Sequence, residues 1–207
     1  MVWTGISWSG LLALAYLIGC FPTAYMLGWI TKGRDIRELG DGNAGAANAY
    51  RELGPKVGVA VLVVDAGKGA AALGLVGALA GSTVAQMLAG IAVVAGHNWP
   101  FLLQFRGGRG ASTAMGVLVV LTPLAVIPLS VLSLIPLAIT RSATVALSFI
   151  FVPLSLVAWL TGAPVPLIGY SMAVPVLVGV SHWASVRRPA LADGGEPGLR
   201  PQEVDSP

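Results

Sequence analysis

The stretch of this chain richest in chemical possibility runs from His97 to Ser112, HNWPFLLQFRGGRGAS, between two strongly apolar segments. At its centre lies Arg106-Gly107-Gly108-Arg109-Gly110, with His97 nine residues before the first arginine. Guanidinium groups match phosphate oxygens bidentately, and glycines let backbone N–H groups turn inward, so the turn reads as an anion cradle. The competing reading is a charged hairpin between membrane helices, where arginine only marks topology. His97 lies at membrane depth, either as a functional group or as a polar side chain satisfied by a neighbouring helix.

Three other places carry unusual polar groups. Asp41-Gly42-Asn43-Ala44-Gly45-Ala46-Ala47-Asn48-Ala49-Tyr50-Arg51 is too rich in small residues to form a core and too uncharged for a simple solvated linker. Small residues permit close approach of a helix or a ligand; the alternative is a flexible loop. If Ala44–Arg51 is helical, Asn48 and Arg51 share a face. Asp65 and Lys68 are three apart in an apolar run, which reads first as a structural ion pair and second as a substrate contact. His182 and Ser185 have the same spacing, just ahead of Arg187-Arg188.

These groups must be held by elements in a bilayer. Hydrophobic residues make up 56% of the 207, charged residues only 10%, and mean hydropathy is +0.81. Soluble domains carry about 25% charged residues, so this chain cannot cover a water-facing surface. The net charge of +3 does not indicate nucleic acid, because the twelve Lys and Arg gather at segment ends, as orientation signals do. The single cysteine, Cys20, excludes an intramolecular disulfide and a multi-cysteine metal site. Leu17-Ile18-Gly19-Cys20 has the look of a lipoprotein cleavage box. No Lys or Arg precedes it, however, and apolar sequence continues to Ile30, so residues 6–30 read as a retained first helix.

That first segment, 8–30, contains Pro22, expected as a kink or a break. The loop 31–56, with Lys32, Arg34, Arg37, Arg51 and Lys56, is cytoplasmic by the positive-inside rule, placing the N-terminus outside. Further helices are expected at 57–80 and 83–105. The apolar run 111–140 fits two short helices turning near Thr122-Pro123, which returns Arg141 to the cytoplasmic side. Helices at 123–139, 143–161 and 164–183 would follow. The expected fold is an all-α, polytopic membrane bundle of about seven helices, with the C-terminus cytoplasmic and six crossings as the alternative. Residues 1–188 would form one transmembrane domain and 189–207, rich in glycine, proline and acid, a disordered cytoplasmic tail.

In this topology Asp41 to Arg51, Lys68, His97, Arg106 to Arg109, Arg141 and His182 to Arg188 all fall on one side. Topology requires that of lysine and arginine only. The convergence points to a basic, hydrogen-bonding pocket at the inner membrane surface, suited to a phosphorylated substrate.

The motifs that carry this pocket resemble the bacterial acyl-phosphate-dependent glycerol-3-phosphate acyltransferases, the PlsY type. They are Gly19-Cys20-Phe21-Pro22, Gly40 to Asn48 with Arg51, Asp65-Ala66-Gly67-Lys68-Gly69, Gly96-His97…Pro100…Phe105-Arg106-Gly107-Gly108-Arg109-Gly110, Thr140-Arg141 and His182…Arg188. The likeness runs along nearly the whole chain. It departs from the family's usual pattern at Cys20 and Asp41 (serine there), Ala47 (threonine), Arg106 and Arg109 (lysine) and Ser185 (asparagine).

The resemblance implies transfer of an acyl group from acyl phosphate to the 1-hydroxyl of glycerol 3-phosphate, giving lysophosphatidic acid and phosphate. It implies no cofactor, no metal and no covalent enzyme nucleophile. Catalytic residues would be His97, Arg109, Asn43 and Arg51. Substrate would be bound by Asp41, Gly42, Asn48, Lys68, Arg106, Gly107, Gly108, Gly110, Arg141, Thr144, His182, Ser185 and Arg188. The partners are the two substrates and the bilayer, with no nucleic acid, and the expected state is a monomer. The expected location is the bacterial cytoplasmic membrane, multi-pass, with the site on the cytoplasmic side. Two alternatives stay open: another acyl acceptor on the same scaffold, and a non-catalytic lipid-handling or transport protein.

Overall fold

The computed structural model describes residues 7–192, with side chains to Ser185, and every long element in it is a helix. Helix α1 spans Trp8–Gly19 and is capped by Ser7, whose hydroxyl accepts the Gly10 N–H at 3.3 Å. Helix α2, Thr23–Lys32, follows after Cys20-Phe21-Pro22. Pro22 has no N–H and drives the residue before it away from helical geometry, so the first segment breaks here. The two helices still count together as one apolar span, Trp8–Lys32.

The polar loop then folds into a single 3₁₀ turn, Ile36–Glu38, and the short helix α3, Ala46–Glu52. Pro55 opens the long helix α4, Pro55–Ala80, and Gly81 closes it in the left-handed region at φ 59°. Ser82 caps the next helix, α5, Thr83–Asn98, and a second 3₁₀ turn covers Phe101–Leu103.

The run 111–140 divides near Pro123 and Pro136, whereas Pro128 sits inside a continuous helix. Helix α6 is Ala111–Leu121, Thr122 breaks the chain, and α7 is Pro123–Leu132. A further interruption at Ser133 precedes α8, Leu134–Thr140; the ring of Pro136 crowds the carbonyl four residues back, at Leu132. Helices α9, Ala143–Phe151, and α10, Leu154–Leu160, divide at Pro153 for the same reason. The last helix, α11, runs Val165–Ala192. This corrects the expected end at 183; the tail from 193 lies outside the described residues. The arginines at 187 and 188 mark a charge boundary, and no helix-stopping glycine follows until Gly194.

Five apolar helical runs are long enough to cross a bilayer among the described residues: Trp8–Lys32, Pro55–Ala80, Pro123–Thr140, Ala143–Leu160 and Val165–Ser185. Helix α1 packs along α5, and α4 along α6 and α5. The core between them is aliphatic: Leu11, Leu73, Val76, Val93, Val117 and Leu118 are fully buried, with Leu154 and Val174 from α10 and α11. Close approach comes from missing side chains, since a Cβ on Gly116 would collide with the Ala66 carbonyl and one on Gly96 with that of Tyr16. On the outside Ile30, Ile139, Val152 and Val165 are each at least 73% exposed. An apolar exterior of this extent needs lipid to cover it.

The polar loop is fastened to the second 3₁₀ turn. Arg37 grips Asp35 through Nε (3.0 Å) and Nη2 (2.7 Å), donates to the Leu103 carbonyl at 3.1 Å, and lies over the Tyr25 ring. Burial alone would raise the Asp35 pKa, but hydrogen bonds and charge from Arg37 outweigh it and hold the carboxyl below the usual aspartate range. A depressed folded pKa means a contribution present above the unfolded pKa and lost as pH falls through the folded one. Thermal melts below about pH 4 should therefore show a loss of stability that Asp35→Asn flattens.

Candidate active site

The site is built in three tiers, from the membrane-buried base outward. At the base, Asp65 and Lys68 of α4 pair at 2.8 Å with side chains only 1% and 7% exposed. Asp65 Oδ1 also accepts from the Thr23 hydroxyl at 2.9 Å, and His97 Nδ1 lies 3.7 Å from it. The Lys68 ammonium donates at 3.0 Å to the Phe21 carbonyl in the break between α1 and α2, which also accepts the Thr23 N–H at 3.2 Å. The structural reading of the pair therefore holds. Lys68 is held by both Asp65 and the Phe21 carbonyl. Asp65 Oδ2 is buried without a hydrogen-bond partner.

The middle tier is the glycine turn. Here the expected geometry is corrected: the Gly107 and Gly108 N–H groups do not turn toward a ligand. They donate to the Asn98 and His97 carbonyls, each at 3.1 Å. The last carbonyls of α5 have no helical partner and claim them. What the glycines supply is closeness. A Cβ on Gly108 would strike His97 Nε2, and one on Gly107 the His97 carbonyl. Gly110, at φ 83°, turns the chain into α6. A small pocket lies between this turn, the Gly19–Thr23 break, Ala44, His97, Pro100 and Leu103. Gly108→Ala is expected to displace the imidazole at the pocket wall and lower turnover about a hundred-fold, read as kcat/KM.

The outer tier is charged. Asp41 Oδ2 receives Arg51 Nη2 at 3.0 Å and Arg109 Nη1 at 3.1 Å. Arg109 Nε donates to the Ser185 hydroxyl at 2.9 Å, which in turn donates to the His182 carbonyl at 2.8 Å. Four separate parts of the chain thus meet: the 41–43 loop, α3, the glycine turn and α11. His182 is close enough to feel the charges of both Arg109 and Asp41.

Asn43 is buried at the loop's inner edge, its N–H donating to Asp41 Oδ1 at 3.3 Å, and Gly42 makes the turn between them at φ 69°. Asn48 and Arg51 share a face of α3 as expected, and both reach Asp41, Asn48 Oδ1 accepting its N–H at 3.3 Å and Arg51 pairing with its carboxylate. Asn48 is fully buried, its amide donating to the carbonyls of Ile36 (3.2 Å), Leu39 (2.9 Å) and Asn43 (3.1 Å). It holds the loop together.

Arg106 is exposed, and neither it nor Arg141 or Thr144 bonds to this cluster. Arg141 follows α8 and Thr144 lies in the first turn of α9, a helix packed against α7, α8, α10 and α11. The Arg188 side chain lies outside the described residues. Sequence reasoning passed over Thr23, the Phe21 carbonyl and the Asp35–Arg37 clamp. The last had a legible signal, opposite charges two residues apart in a loop.

An all-helical integral membrane protein, with two arginines converging on one anion beside a small pocket, is the class that fold and site define. The chain belongs to the glycerol-3-phosphate acyltransferase family, whose model matches residues 9–191. Glycerol-3-phosphate acyltransferase 4 of Dehalococcoides mccartyi is 43% identical over 178 residues, 86% of this chain and 96% of that protein. A glycerol-3-phosphate acyltransferase of Thermoanaerobacter pseudethanolicus is 49% identical over 111 residues, covering 54% of this chain and 56% of that one. The crystal structure of PlsY (YgiH), an integral membrane glycerol 3-phosphate acyltransferase, in its glycerol 3-phosphate form, superimposes with a TM-score of 0.74. It shares 29% identity and covers 93% of this chain and 96% of that one. The lysophosphatidic acid form gives a TM-score of 0.72 at 28% identity.

Proposed function

We propose that this protein transfers an acyl group from acyl phosphate to the 1-hydroxyl of glycerol 3-phosphate, at the cytoplasmic face of a bacterial membrane. The observation that carries this reading is the convergence of Arg51 and Arg109 on one anion position, at 3.0 and 3.1 Å, beside the pocket walled by His97 and Gly108. The acceptor's phosphate takes that position, and Ser185 steadies Arg109 through its Nε. The acceptor hydroxyl oxygen attacks the acyl carbonyl carbon and the bond from that carbon to the phosphate oxygen breaks. The hydroxyl proton leaves with the departing phosphate, or passes first to the acceptor's own phosphate. Phosphate is a good leaving group, so positioning and positive charge suffice for the protein's share. His97, buried between Asp65 and Gly108, orders the wall against which the acyl phosphate lies.

Orientation follows from the same reading. About seven crossings, with the N-terminus outside, place Arg51, Arg109 and Ser185 on the cytoplasmic side.

The test uses the full chain purified in detergent or reconstituted in lipid. Phosphate should be released from a long-chain acyl phosphate only when glycerol 3-phosphate is present, with lysophosphatidic acid detected by mass spectrometry. Binding of both substrates without lysophosphatidic acid would sink the assignment.

A further inference from the structure

One carboxylate oxygen, Asp41 Oδ2, holds both arginines of the outer tier. The two Asp41 oxygens do different work. Oδ1 accepts the Asn43 N–H at 3.3 Å and so shapes the loop, while Oδ2 faces the guanidiniums. The backbone is fixed separately, because the Asp41 N–H donates to Asn48 Oδ1 at 3.3 Å. Arg109 is also fixed separately, through its Nε on Ser185 at 2.9 Å. If Oδ2 moved away, Arg109 would stay where it is, with Nη1 free to donate. Asp41 can move: its side chain is 36% exposed and that of Arg51 is 51% exposed.

We infer that Asp41 is a specificity-determining residue, an internal anion held between Arg51 and Arg109 that an acceptor's phosphate must displace in order to bind. This rests on the phosphate position proposed above. Two cations facing one carboxylate leave a single net positive charge for an incoming ligand. Phosphate, with a charge of about −1.5 to −2 at neutral pH, can outcompete a carboxylate there; an uncharged alcohol has nothing to exchange. Asp41 thus weakens phosphate binding and leaves neutral acceptors untouched, and it sets how much charge an acceptor has to bring.

Asp41→Asn separates the two oxygens' roles. The amide keeps an acceptor for the Asn43 N–H and puts a donor, or nothing useful, before the guanidiniums. Asp41→Ser is the second variant, since a hydroxyl can also accept from a nearby N–H in such a turn. Calorimetry on the detergent-solubilised full chain would read the affinity of inorganic phosphate and of glycerol 3-phosphate, with glycerol as the neutral control. Removing two partly exposed ion pairs should tighten both phosphate ligands about tenfold in each variant and leave glycerol unchanged.

Unchanged or weaker phosphate binding in both variants overturns the inference, as does equal tightening of glycerol. Because binding is read apart from turnover, the outcomes stay distinct. Tighter phosphate binding without any lysophosphatidic acid would sink the acyltransferase reading and leave the role of Asp41 standing.

Discussion

Replacing Arg109 with alanine is expected to abolish acyl transfer, with kcat/KM falling about a thousand-fold, the scale seen when a preorganised charged donor is removed from a reacting centre. The residue joins three parts of the site: its Nη1 meets Asp41, its Nε meets Ser185, and its backbone follows Gly108 at the pocket wall. Its side chain is 19% exposed and no core packing depends on it, so the variant should fold and insert normally. Arg109→Lys keeps the charge and loses the fork that serves Asp41 and Ser185 together. It should retain more activity than alanine, with the deficit mainly in KM for glycerol 3-phosphate. Assay of lysophosphatidic acid across a substrate series separates the two. An alanine variant with wild-type kcat/KM would remove Arg109 from the mechanism.

The second large effect lies in the buried base. Lys68→Met would leave the Asp65 carboxylate uncompensated at 1% exposure, at a cost of about 3–5 kcal/mol. It would also remove one of the two donors to the Phe21 carbonyl, so the wall of the pocket at the α1–α2 break should loosen together with the global loss. Asp65→Leu should be as damaging from the opposite side, stranding the ammonium. The pair Asp65→Leu with Lys68→Met should recover most of the stability, because matched apolar replacement of a buried ion pair is often neutral. Thermal unfolding in detergent of all four proteins forms the cycle. A double variant as unstable as the sum of the singles would mean that the pair contributes through contacts other than its mutual charge.

How far the sequence carried can be argued from a few positions. Pro22 and Thr122-Pro123 announced the two breaks that matter, because a missing N–H and a ring clash act locally, although Pro128 stays inside α7. The family motifs brought His97, Arg109, Asp41 and Ser185 into view before any geometry, and the structure joins Arg109 to Asp41 and Ser185 directly. Spacing set Asn48 and Arg51 on one face of α3, where both reach Asp41, but it gave relative direction only. Which side of a two-turn helix is buried depends on what it lies against, here the carbonyls of Ile36, Leu39 and Asn43. The N–H groups of Gly107 and Gly108 were misjudged for a related reason: their partners are set by where α5 ends, at Asn98. The end of α11 was set too early because charge marks the edge of a membrane and not the end of a helix.

The closeness of Asp65 and Lys68 along the chain bears on how the protein is made. Each charge alone would oppose entry of α4 into a bilayer by about 2.5–3.5 kcal/mol at the helix centre. Three residues apart on a single helix, they neutralise each other without waiting for any other helix. Helix α4 can therefore leave the translocation machinery as an electrically balanced segment, before Thr23, Phe21 or His97 has taken its place around the pair. Separating the two charges onto different helices would give the same final contact and a harder route into the membrane.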